Sequence, residues 1–206
     1  MTLRAIGLSI AVAASVLFAM PAMASVSQSD QEAYCVKHGG VVQTRIPEYG
    51  TNGGDPLVLS GKKEFCQFTS KKDGSQINVL LPTLMTKQPS LAALAYYAQV
   101  PMGSCNGNPG SCYCSLIGGT DLFGGINAAG GGWVLLTDPN DVLEACIFPD
   151  LSSIDSWGLA YHSAGIVRGK DLSKVLRYAD PYNDGKSHAP AKKVLPFSAQ
   201  KRVTRI

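Results

Sequence analysis

One cysteine-centred pattern occurs twice in this chain, and it restricts the fold more than any other feature. The first occurrence reads Tyr34-Cys35-x-x-x-Gly39-Gly40, then Cys66-x-Phe68, then Asp73-Gly74-Ser75-x-Ile77. The second reads Tyr113-Cys114-x-x-x-Gly118-Gly119, then Cys146-x-Phe148, then Asp150-x-Ser152-x-Ile154. Each is followed by a Leu-Ala-Tyr triplet, Leu94-Ala95-Tyr96 and Leu159-Ala160-Tyr161. The 6 cysteines, Cys35, Cys66, Cys105, Cys112, Cys114 and Cys146, all lie beyond the N-terminal segment, and an even count in an exported chain reads as disulfides in an oxidising compartment. Spacing alone leaves many pairings open. If the two copies fold alike, Cys35 pairs with Cys66 and Cys114 with Cys146. Cys105 and Cys112 then remain, across the turn-rich Asn106-Gly107-Asn108-Pro109-Gly110-Ser111. Each long bridge would contribute roughly 3–4 kcal/mol in the chain-entropy model.

Arg4, the apolar run from Ala5 to Met20 and Pro21-Ala22-Met23-Ala24 have the form of a secretory signal peptide over 1–24, with Ser25 as the first mature residue. The apolar run is short for a membrane span. No cysteine follows the cleavage site, so a lipid anchor is not expected. These features predict a periplasmic or secreted protein. Loss of Arg4 takes the net charge from +3 to +2. Residues 186–206 carry Lys186, Lys192, Lys193, Lys201, Arg202 and Arg205 and no acid. This basic tail reads first as a solvated terminus. The alternative is contact with an anionic surface such as phospholipid. Nucleic acid is not an expected partner in that compartment.

Local signals place a helix over Asp30–His38, capped by Ser29 or Asp30 and stopped by Gly39, with Tyr34 and His38 on one face. Strands are expected at Val41–Ile46, Leu57–Leu59, Glu64–Thr69 and Gln76–Leu81, and a second helix from Pro89. The second copy shows a short helical segment around Tyr113, strands at Trp133–Leu136 and Glu144–Phe148, and a turn at Asp138-Pro139-Asn140-Asp141. Ser152 would cap a helix carrying Ile154, Trp157 and Tyr161, ended by Gly165. The expected fold is α+β: two related small disulfide-stapled modules, each helix, short antiparallel strands, helix, packed together. The first spans 25–103 and the second 104–185. Neither alone has a large apolar core, which favours mutual packing.

The arrangement Tyr-Cys-x-x-x-Gly-Gly, a hairpin, Cys-x-Phe-x-Asp and a downstream Trp resembles a small bacterial envelope domain of unknown function that carries a haemolysin label. The likeness covers Tyr34 to Ile77 and Tyr113 to Trp157, and is clearest at Cys146-Ile147-Phe148-Pro149-Asp150 with Trp157. It implies an envelope location and two diverged copies, and it transfers no catalytic or pore-forming motif.

Candidate chemistry is sparse. Cys112-x-Cys114 lacks the Cys-x-x-Cys spacing of a redox pair and the second ligand pair of a zinc site, so structural bridges are expected and no metal. Gly118 to Gly132 has no Lys or Arg to cradle phosphate and reads as a connection between strands. No cofactor is implied. His162 is the best catalytic candidate, with Asp155, Ser163, Arg168 and Asp171 nearby in sequence, but Asp155 is about two helical turns away, roughly 10 Å along the axis and too far for direct hydrogen bonding. The repeat sets Tyr97 opposite His162, which suggests an amphipathic rim position. Trp157, Tyr161 and Tyr97 are candidate binding residues within an aromatic set that also holds Tyr96, Tyr178 and Tyr182. The expected function is an exported, disulfide-stabilised binding or interaction protein of the bacterial envelope, its partner a protein or envelope ligand. A hydrolase built on His162 and a membrane-active protein are the alternatives.

Overall fold

The computed structural model describes residues 26–121 and 129–183. The expected signal segment, most of the glycine-rich stretch and the basic tail lie outside them. Within them the chain is mixed helix and strand. In chain order it runs α1 (Gln28–Lys37), β1 (Val41–Tyr49), β2 (Leu57–Val58), β3 (Lys63–Thr69), β4 (Gln76–Leu80), α2 (Leu81–Met85), α3 (Leu91–Ala98), α4 (Pro109–Leu116), β5 (Thr120–Asp121), β6 (Gly131–Leu135), β7 (Asp138–Leu143), β8 (Ala145–Ile147), β9 (Ser153–Asp155) and α5 (Ser156–Ser163). None of these helices is long and apolar enough to cross a membrane.

All strands join one antiparallel sheet in the order β5-β8-β9-β4-β3-β1-β6-β7, with β2 beside β1. Strands β7 and β8 stand six spacings apart on this path, roughly 29 Å in a flat sheet. Yet only Glu144 separates them in the chain. Two Cα steps reach at most about 7.6 Å. The sheet therefore curls until its two ends meet, and the Glu144 carbonyl accepts from Ser156 N at 2.8 Å at that seam.

Curling gives the sheet two different faces. Cys66, Phe68, Ile77, Val79, Cys146 and Ile154 alternate onto the outer face, where they form one apolar cluster with the helices. Phe65, Leu80, Trp133, Leu143 and Ala145, drawn from the middle and both ends of the path, meet on the inner face. The inner face also buries charge. Arg45 is 0% exposed and donates to Gln43 Oε1, to the Trp133 and Asp141 carbonyls and to Asp141 Oδ1 at 3.0 Å. That one side chain ties β1 to both strands of the β6–β7 arm.

Cysteine pairs Cys35–Cys66, Cys105–Cys112 and Cys114–Cys146 are all bridged. The two long bridges sit in matching surroundings. Val42 opposes Cys66 and Val41 opposes Gln67, while Asp121 opposes Cys146 and Thr120 opposes Ile147. Asp73 accepts from Ser75 N and Oγ, and Asp150 accepts from Ser152 N and Oγ. A Cβ on Gly40 would collide with the Cys66 and Cys35 sulfurs, and one on Gly119 with those of Cys146 and Cys114. The second glycine of each Gly-Gly is thus required by close approach of the bridge.

Several local expectations change. Helix α1 is capped by Ser27 rather than Ser29 or Asp30. Asp138–Asp141 belongs to strand β7, because the reversal comes at Leu136–Thr137 and the arm needs a partner for β6. Asp155, not Ser152, caps α5, and Ile154 lies in β9 with its side chain in the outer core. Helix α2, opened by a proline directly after β4, had no signal in the apolar run.

Substitutions at the bridges and at the Arg45–Asp141 pair test this packing. Gly40→Ala or Gly119→Ala should each cost about 2–5 kcal/mol, the range for losing a native bridge, and expose titratable thiols in a free-thiol assay. An unchanged melting temperature would contradict the packing. Asp141→Leu leaves the fully enclosed Arg45 charge without its carboxylate and should cost about 3 kcal/mol in chemical denaturation, with stability recovered in part in the Arg45→Met/Asp141→Leu double variant.

Candidate functional site

Curling leaves an opening where the β7 end of the sheet approaches β4 and β9. Inner-face positions alternate along each strand, so Gln76 and Asn78 of β4, Asp141 and Leu143 of β7, and Asp155 of β9 point to the same side. With Val142, Glu144, Trp157 and Arg168 they line a groove of about 180 Å³. Trp157 and Arg168 come from α5 and the loop that follows it, and form the rim.

The floor is polar and shielded. Asp155 is buried; it accepts from Asn78 N at 2.5 Å and from Gly158 N, which caps α5. Burial pushes its carboxyl up to about 6, although those hydrogen bonds and the nearby Arg168 and Arg45 charges pull the other way. Asn78 is 5% exposed, and its Oδ1 has no hydrogen-bond partner. Buried acceptors without partners are rare, and one that lines a groove is positioned for a donor from outside. Glu144 accepts from Asn108 Nδ2 through both oxygens at 3.0 Å. At the rim the Trp157 and Tyr161 rings lie 6.0 Å apart, and the Arg168 guanidinium sits over Tyr161 at 5.0 Å. A second hollow, bordered by Tyr34, Met85 and Arg177, is more open, and no unpartnered buried polar atom belongs to its lining.

The structure brings together some of the residues singled out in the sequence and separates others. Trp157 and Tyr161 meet at the rim of the groove. Tyr97 does not join them: it is 9% exposed, donates its hydroxyl to the Tyr178 carbonyl at 2.6 Å, and burial raises it to about 12. His162 lies in the last turn of α5 and Asp155 at the opposite end, each with its own partners. The imidazole stacks on Tyr96 at 3.7 Å between ring centres, and its Nε2 meets the Gln99 amide at 2.9 Å. Burial lowers its pKa, the Asp171 charge acting in the opposite sense. Among the described residues no carboxylate is hydrogen-bonded to it. His38 lies against Tyr34 at 4.2 Å, as the helix spacing predicts, and His188 lies outside the described residues. No cluster of three or more His, Cys, Asp or Glu able to hold a metal occurs among the described residues.

Asn78, Gln76, Asp141 and Glu144 were not legible as site residues. A polar residue inside Ile77-Asn78-Val79-Leu80 was the one available signal. No family model, curated protein or solved structure matches the chain.

A second carboxylate behaves like Asp155. Burial raises Asp121 to about 6, against the Ser111 hydroxyl bound to its Oδ2 at 2.9 Å. A raised acid binds its proton more tightly when folded, so folding stability falls as pH rises from about 4 to about 6 through this group. Two pKa units correspond to about 3 kcal/mol. Asp121→Asn should therefore gain about 3 kcal/mol relative to wild type between pH 4 and pH 7 in urea denaturation with bridges intact. A pH-independent difference would show that Asp121 is not held in its neutral form.

Proposed function

We propose that this chain is an exported, disulfide-stabilised binding protein of the bacterial envelope, built from two diverged modules of the haemolysin-labelled type, and that its ligand seats in the groove beside Trp157. The observation that carries the binding reading is the Asn78 Oδ1 acceptor, buried in the groove without a partner. Bracing of one wall supports it: β4 and β9 lie between β3 and β8, which are stapled to α1 and α4 by two bridges. Bridged cysteines fit the oxidising compartment that the signal segment implies.

Duplication is supported by the shared register around Cys66 and Cys146, the shared Asp–Ser turn, and the sheet order β1-β3-β4 followed by β9-β8-β5. The equivalence runs through strands and bridges rather than through the Leu-Ala-Tyr triplets. Helix α5 packs on α4 and α2 packs on α1, which supports pairing α2 with α5 in the two modules. The hydrolase reading has less behind it, because Gln99 occupies His162 Nε2. A membrane-active role would need an exposed amphipathic stretch beside the basic tail and would persist when the tail is deleted, whereas contact with anionic surfaces would depend on the tail itself.

The test is native mass spectrometry of the mature chain purified from periplasm. A bound small molecule should be retained by His162→Ala and lost from Trp157→Ala. An empty wild-type protein that also gives no saturable change in tryptophan fluorescence with any envelope extract would overturn the proposal.

A further inference from the structure

Charge and hydrogen-bond polarity in the groove define the ligand further, on the assumption that the groove is the binding site. Arg45 and Asp141 form a closed pair 3.0 Å apart, so neither contributes net charge. Of the remaining lining groups, Glu144 and Asp155 are acids and Arg168 is the cation. Arg168 makes no ion pair among the described residues and lies over the Tyr161 ring. The ionised groove thus carries one net negative charge.

Its unsatisfied capacity has the same sense. The buried side-chain atom without a partner in this lining is an acceptor, Asn78 Oδ1. Glu144 receives hydrogen bonds from one Asn108 nitrogen, and a carboxylate has about four acceptor sites in all. The Trp157 ring adds a π face, which attracts cations and is the strongest of the aromatic side chains in doing so. An ammonium group supplies three donors and a positive charge and has no acceptor to be left unpaired.

We propose that the groove binds the ammonium group of a small primary amine, with Asn78 Oδ1 and Glu144 as acceptors and Trp157 against its alkyl and charged surface. Buried Asp155, held by Asn78 N and Gly158 N, lines the inner part of the groove, and Trp157 lines it from α5. The ligand therefore enters with its amine end, and any larger remainder extends past Trp157 to solvent.

Titrations of the mature, bridged protein with propylamine, propionate and glucose, followed by tryptophan emission and checked by calorimetry at fixed ionic strength, test this. Trp133 is enclosed on the inner face, so Trp157→Phe identifies the responding ring. Propylamine should bind saturably with Kd on the order of 1 mM, weaker than the ligand-efficiency ceiling for so few heavy atoms. Glu144→Gln should weaken it about tenfold with an unchanged melting temperature, and Asn78→Leu should abolish it. Should Asn78→Leu fail to fold, Glu144→Gln and Trp157→Phe carry the test alone. Saturable binding of propionate or glucose but not propylamine would overturn the amine assignment and leave the groove as a binding site. Equal propylamine affinity in wild type and Glu144→Gln would also overturn it. Saturation by none of the three probes, with a co-purifying ligand that lacks an amine, would do the same. An empty groove with no probe binding would remove both this inference and the binding reading.

Discussion

A one-residue connection governs this structure. Strands β7 and β8 lie near opposite ends of the sheet path, and Glu144 alone separates them. The chain cannot span a flat sheet with that link, so curvature is imposed by connectivity rather than left to twist alone. From it follow an enclosed inner face, the meeting of Trp133 with Phe65 at 5.9 Å between ring centres, and the juxtaposition of Asp141 and Leu143 with Asn78 and Asp155. The same residue whose shortness closes the sheet places its carboxylate on the groove.

The two faces of the curled sheet divide the work. The outer face is apolar and carries both long bridges, with Tyr96, Tyr113 and Leu159 from the helices packed over them. Its alternation was readable because cysteine, Phe68 and Ile77 recur at known offsets in both copies. The inner face mixes Phe65 and Trp133 with Gln67, Asn78, Arg45 and Asp155. In a sequence such positions look like the solvent side of a half-buried strand, and nothing local reveals that a distant arm will cover them. Arg45 illustrates the difficulty: within Val41–Ile46 it reads as an ordinary exposed basic residue, yet it is fully enclosed because β6 and β7 fold across it.

Errors elsewhere have similar causes. Asp-Pro-Asn-Asp has the composition of a turn, but pairing with β6 outweighs local preference. Ser152 and Asp155 are both able caps; the continuation of β9 to Asp155 decides between them. At the site, Trp157 and Tyr161 were recoverable because helical spacing puts them on one face. The groove's acceptors come from β4, the end of β7 and the seam, and only the closed sheet assembles them. His162 and Tyr97, attractive as isolated polar aromatics, are absorbed by stacking and by a carbonyl.

Covalent restraint is unevenly distributed. Bridges fasten α1 to β3 and α4 to β8, and the third closes the approach to α4. The β6–β7 ribbon has none. It is attached by its ladder to β1, by the Arg45 clasp and by the seam at Glu144. The stapled elements are therefore held covalently as well as by packing, and the ribbon by packing and hydrogen bonds only. Because the ribbon forms one bank of the groove, that bank is held in place by non-covalent contacts alone: the β1 ladder, the Arg45 hydrogen bonds and the Glu144 seam.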